Sequence, residues 1–217
     1  MVYSAEVRWF FGNKTDVAVI EAWFNTHQQF FANKWSRADI YLWQPDLHTH
    51  SVKIREGKVE VKVLLQDRGV VSLPDENTGI ANDWVKYSFE LKENEEENTA
   101  LLQQFNGSAP QHKEYNWLKV DKERLLVKFA LHYDPESITT VAADAWPHEG
   151  CGVELTRIKI NHQEYFTFGL EAFSKTRQEY KNLEQVVNHI MPQLKGINLN
   201  FQQSHAYPEF LASLSQS

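Results

Sequence analysis

Polar and apolar residues alternate along several separate stretches of this 217-residue chain, and a period of two is the signature of β-strands with one apolar and one charged face. Val52 and Ile54 share one parity, Lys53 and Arg55 the other. After a tight-turn signal at Glu56-Gly57, Val59, Val61 and Val63 oppose Lys58, Glu60 and Lys62, so the two stretches read as a hairpin. The division recurs near the N-terminus, where Ser4, Glu6 and Arg8 alternate with Ala5, Val7 and Trp9. It recurs in Lys86, Ser88 and Glu90 against Val85, Tyr87 and Phe89, and Lys122, Arg124 and Lys128 share a parity further on. With strand candidates at 84–91, 124–133, 137–143, 152–160 and 165–173, the spacing predicts an antiparallel sheet.

Helical periodicity occupies the intervals. It runs over 16–31 behind an N-cap at Thr15 or Asp16, over the acid-headed stretch 92–105, and over 175–194 until Pro192 interferes. A short helix is expected again within 204–214. No repeat or linker divides the sequence, which predicts one α+β domain spanning 1–217. The single cysteine, Cys151, excludes a disulfide framework, and no stretch approaches the ~18 apolar residues of a membrane span. Together with an N-terminus that lacks a leader pattern, this predicts a soluble, cytoplasmic protein with no membrane partner. The net charge of −7 argues against binding duplex nucleic acid and requires any anion site to be a concentrated cation cluster. Monomer and homodimer are both compatible with the sequence.

A charged strand face has two possible destinations. In an open sheet it faces water; in a closed barrel with helices packed outside, the apolar face points outward and the charges line the lumen. Several candidate helices able to cover an apolar surface, and charges of both signs at matched positions, favour the barrel. Clustered Lys and Arg in a lumen suit a polyphosphate, and carboxylates among them suit Mg²⁺ or Mn²⁺. No GxxxxGK[ST] loop occurs, so side chains must supply any phosphate grip. The seven Trp and thirteen Phe residues raise the rival of an apolar-ligand barrel, against which the charged parity speaks.

These residues also carry a family resemblance. SAEVR (Ser4, Glu6, Arg8) resembles the opening Glu-x-Glu-x-Lys strand of the CYTH domain, the triphosphate tunnel metalloenzyme superfamily. DIY (Asp39, Ile40, Tyr41) is similar to its Asp-x-Tyr element, VKIR (Lys53, Arg55) to its Leu-Arg-x-Arg strand, and VEVK (Lys62) to the strand after it. DKER (Lys122, Arg124), VELT (Glu154, Thr156), GLEAF (Glu171) and the closing SHAYPEFL follow in the family's order, so the likeness runs through nearly the whole chain.

The resemblance implies an eight-stranded antiparallel barrel with a polar lumen and external helices. It also implies metal-dependent hydrolysis of a small-molecule triphosphate (inorganic, thiamine or nucleoside triphosphate), with adenylate cyclase activity less favoured and Mg²⁺ or Mn²⁺ as cofactor. Carried over by position, Arg8, Lys53, Arg55, Lys62, Lys122 and Arg124 would hold phosphates. Glu6, Glu154 and Glu171, with Glu90 as an addition, would hold metal, and Glu6 or Glu171 would orient the attacking water. Ser4 and Thr156 stand where the family carries carboxylates. That departure keeps open a non-catalytic module that binds a phosphorylated or polyphosphate ligand.

Overall fold

The computed structural model describes residues 1–27, 35–43, 48–90 and 116–214. Alternation resolves into nine strands among them: β1 (Val2–Phe11), β2 (Trp35–Trp43), β3 (His50–Arg55), β4 (Lys58–Ser72), β5 (Thr78–Glu90), β6 (Asn116–Tyr133), β7 (Glu136–Val141), β8 (Glu149–Ile160) and β9 (Gln163–Ser174). All pair antiparallel in the order β2-β3-β4-β5-β1-β9-β8-β6-β7. A further pairing of β2 with β6 joins Trp35–Trp43 to Asn116–Arg124 and closes eight strands into a barrel. β7 stays outside the ring, because it pairs with the far half of β6, Lys128–Tyr133, beyond the stretch that β2 occupies. The β3–β4 hairpin turns at Glu56 and Gly57, both at positive φ (47° and 72°), as a two-residue turn of the strand-matching hand requires.

The apolar parity lies outside. Ala5, Val7, Trp9 and Phe11 of β1 join Val127 and Phe129 of β6, Val153 and Leu155 of β8, and Phe168 and Leu170 of β9 in one core. Helix α1 (Ala18–Thr26) covers it with Ile20, Trp23 and Phe24, and α2 (Glu179–Ile190) with Leu183, Val186, Val187 and Ile190. Burial of this continuous surface is what directs the charged parity inward, since one face of each strand must leave water and, among the described residues, these helices supply its apolar cover. The expected 175–194 helix begins only at Glu179. The Ser174 hydroxyl accepts from the Gln178 amide at 2.9 Å and holds the entry turn, and Pro192 falls in a closing 3₁₀ turn. The expected helix at 92–105 lies outside the described residues, as does the end of 16–31.

A second, smaller core closes one end of the barrel. Phe10, Tyr41, Val120, Ile158 and Ile160 continue the inward parity but are apolar, and helix α3 (Tyr207–Ser213) lies across them. Phe210 stacks on Phe10 at 3.9 Å, and the Trp43 indole donates to the Leu211 carbonyl at 3.1 Å. Among the described residues no helix is long and apolar enough to cross a membrane.

Candidate functional site

Above this apolar floor the inward parity turns charged. Nine residues singled out in the sequence line one cavity of about 800 Å³, counted to its open mouth: Glu6, Arg8, Lys53, Arg55, Lys62, Lys122, Arg124, Glu154 and Glu171. Strand closure brings them together from six strands. The cavity also recruits Arg37 and Tyr41 from β2, Glu60 from β4, Trp84 and Lys86 from β5, and Tyr207 at the start of α3. Arg37 is the residue that sequence reasoning passed over. Its signal is parity with Asp39 on a stretch whose motif was read but whose strand was not.

Two expectations are corrected. Glu90 does not reach the cavity: it sits at the end of β5 with its side chain 82% exposed and its carboxylate 3.3 Å from Lys58. Lys128 shares the inward parity of β6 but lies past the ring, where its ammonium donates to the Ala145 carbonyl at 2.5 Å beneath the Trp146 ring. Ser4 is buried on β1 without lining the cavity.

The charges form two hubs. In the first, Asp39 is fully buried and accepts both prongs of the Arg55 guanidinium, Nε and Nη2, at 2.8 Å each. Lys122 Nζ lies 3.0 Å, Arg37 Nε 3.5 Å and Lys53 Nζ 3.7 Å from the same carboxylate. Burial alone would push this carboxyl up. The Arg55 hydrogen bonds, with Lys122 and Lys53, overcome it and hold the group well below the usual carboxylate range. The lysines bear the opposite strain: burial, with Arg55 and Lys122 beside it, pulls Lys53 down to about 7, and burial pulls Lys122 down to about 8 against the attraction of Asp39.

In the second hub Arg8 binds two carboxylates, Glu6 through Nε at 2.8 Å and Glu154 through Nη1 at 2.5 Å, and donates to Thr167 Oγ1 at 3.0 Å. The guanidinium fits because Gly169, its cross-strand neighbour on β9, has no side chain. A Cβ there would stand 2.7 Å from Arg8 Cζ. Glu154 also meets Arg124 at 3.4 Å, and burial notwithstanding, Arg8 and Arg124 bring its carboxyl down to about 2. Lys62 Nζ touches Glu6 Oε2 and lies 3.1 Å from Glu171 Oε1, and its charge outweighs the opposing effect of burial and depresses the Glu171 carboxyl.

Whether this donor set suits Mg²⁺ or Mn²⁺ is decided by what the oxygens already hold. Of the six oxygens of Glu6, Glu154 and Glu171, five are in contact with an Arg or Lys nitrogen. Among the described residues no three His, Cys, Asp or Glu side chains are grouped to hold a metal ion. Thr156 stands in the cavity with its buried hydroxyl lacking any hydrogen-bond partner, and a neutral hydroxyl supplies none of the charge that a hard divalent cation requires. The residues as arranged do not fit a resident divalent metal.

The arrangement does fit an anion. Eight cations and four carboxylates line the cavity, with Asp39 buried behind them, so positive charge exceeds negative by three in a protein whose net charge is −7. A closed eight-stranded antiparallel barrel with a charged lumen and an apolar, helix-covered exterior defines the class of fold, a tunnel of the architecture that the sequence motifs imply.

No family model and no curated protein matches the sequence. Solved structures do resemble the fold. The PH1012 protein from Pyrococcus horikoshii OT3 is 13% identical, with 96% of this chain and 98% of that chain covered at a TM-score of 0.46. The Pct1 RNA triphosphatase of S. pombe is 8% identical, with 89% and 84% covered at a TM-score of 0.40. Likeness at this level does not bear on the chemistry of this chain.

Proposed function

We propose that the tunnel binds a small molecule carrying a triphosphate, gripping the phosphate oxygens with Arg and Lys side chains from several strands. The observation that carries this reading is the excess of buried and half-buried cations around one cavity. Arg37, Lys53, Arg55 and Lys122 gather around the carboxylate of Asp39, with Glu60 3.0 Å from Lys53 and 3.4 Å from Arg55 and the charge of Glu154 felt by Arg37 and Lys122. Burying like charges without counter-charge is costly, and the lowered pKa values of Lys53 and Lys122 express that cost. A polyanion relieves it. Guanidinium forks pair with phosphate oxygens two at a time, and the ammonium groups add point charges.

Hydrolysis is the second reading. It is favoured by Glu171, whose side chain is 42% exposed where Glu6 and Glu154 are 11% and 16% exposed. That carboxylate is open to a water molecule beside a bound phosphate and would orient it for attack.

Calorimetric titration with tripolyphosphate, thiamine triphosphate and a nucleoside triphosphate, alongside phosphate release with and without Mg²⁺ or Mn²⁺, separates the two readings. Saturable binding is expected, lost in Arg55→Ala. Turnover above that of an Arg55→Ala, Glu171→Ala double variant establishes the hydrolase. The absence of binding by all three compounds would remove the proposal.

A further inference from the structure

Glu6 and Glu171 face one another directly across the β1–β9 pair, a placement of like charges that destabilises a sheet unless a cation lies between them. That cation comes from the protein. Lys62 stands on β4, separated from β1 by the whole of β5, with Lys86 as its own cross-strand partner. Its side chain extends through the lumen past the Trp84 ring, 5.4 Å from the ammonium, and ends between the two carboxylates. The contact with Glu6 Oε2 and the 3.1 Å contact with Glu171 Oε1 make one ammonium the shared counter-ion of both. Arg8 takes the remaining oxygen of Glu6.

We propose that Lys62 is a built-in substitute for a divalent metal. Its ammonium occupies the position between Glu6 and Glu171, so the tunnel binds its anion without metal, and Lys62 serves the carboxylates rather than the phosphates. A divalent cation entering this position would meet Lys62, Arg8 and Arg124 within the same hub. Electrostatic repulsion in a cavity of reduced dielectric therefore excludes it while the lysine is charged. The second half of this inference rests on the anion-binding reading above; the first half does not.

The test uses the full chain and Mn²⁺ alone, with bound metal counted by electron paramagnetic resonance in the absence of any phosphate. Wild type is expected to bind no Mn²⁺ above that of a Glu6→Gln, Glu171→Gln control. Lys62→Met, which keeps the length and removes the charge, leaves two facing carboxylates and should bind Mn²⁺ about tenfold or more tightly than wild type, since ligand charge sets such affinities. Stoichiometric Mn²⁺ in wild type overturns the inference and needs no variant to fold. A folded Lys62→Met, checked by its melting curve, that binds no more Mn²⁺ than wild type overturns it equally. In a second arm, tripolyphosphate should raise the melting temperature of wild type equally in EDTA and in Mn²⁺. A shift seen only with Mn²⁺ refutes metal independence. No shift under either condition refutes the anion-binding reading and leaves the Mn²⁺ count to decide the role of Lys62.

Discussion

Replacing Asp39 by Asn tests the charge accounting of the tunnel most directly. The carboxylate is fully buried, accepts the Arg55 fork at 2.8 Å on both oxygens and neutralises Lys122 at 3.0 Å. Asn keeps the shape and one acceptor oxygen, but removes the charge and turns two donors toward cations. Breaking a buried ion pair by removing one partner costs about 3–5 kcal/mol, and the retained acceptor places this variant near the lower end, about 3 kcal/mol. At roughly 2–4 °C per kcal/mol for a chain of this size, the melting temperature should fall by about 6–12 °C. Asp121→Asn is the matched control. Its carboxylate is 53% exposed and pairs with an exposed Lys119 at 3.0 Å, a contact worth about 1 kcal/mol or less. Differential scanning calorimetry at neutral pH measures both. The sign with pH also follows. Because folding depresses the Asp39 carboxyl below its unfolded value of about 3.9, its stabilisation is complete above that value and declines as pH falls through it. The gap between wild type and variant should therefore narrow in acid. A loss of less than about 2 °C at neutral pH, equal to that of the control, would show that Asp39 is not the counter-charge holding this cluster.

Other expectations follow from the same geometry. With Lys53 at about 7 and Lys122 at about 8 in the ligand-free tunnel, a bound polyanion raises both, so binding at pH 8 should take up protons and binding at pH 5.5 should take up almost none. Titration calorimetry in buffers of different ionisation enthalpy measures the uptake, and equal heats in all buffers at pH 8 would contradict it. Gly169→Ala places a methyl 2.7 Å from Arg8 Cζ and should cost about 1–3 kcal/mol while weakening tripolyphosphate binding, because the guanidinium must leave Thr167 and Glu154. Unchanged stability and affinity would mean that Arg8 moves freely. Phe210→Ala removes the ring stacked on Phe10 from the apolar floor and should cost about 3–5 kcal/mol in urea unfolding; a cost below about 1 kcal/mol would show that α3 is a dispensable cover.

Parity was legible in the chain itself. The alternation of Lys53 and Arg55 with Val52 and Ile54, or of Glu6 and Arg8 with Val7 and Trp9, is a property of extended backbone and needs no tertiary partner to be read. Composition narrowed the schemes, since one cysteine excludes a disulfide framework and the lack of a GxxxxGK[ST] loop leaves side chains to supply any phosphate grip. β2 was passed over although Arg37, Asp39 and Tyr41 alternate with Ala38, Ile40 and Leu42, because only the Asp-x-Tyr element within it was read and its pairing with β3 and β6 is non-local.

What the tertiary structure decided is which face turns inward and which charges meet. The β2–β6 pairing closes the ring, and α1 and α2 cover the apolar parity, so the charged side has only the lumen left to occupy. Glu90 has inward parity yet lies in solvent, because parity fixes a direction while position along the barrel fixes depth. Lys62 reaches Glu6 and Glu171 across an intervening strand, a contact set by barrel curvature and side-chain length. One sequence dimension records the period of each strand, but distances between strands exist only once the sheet has closed.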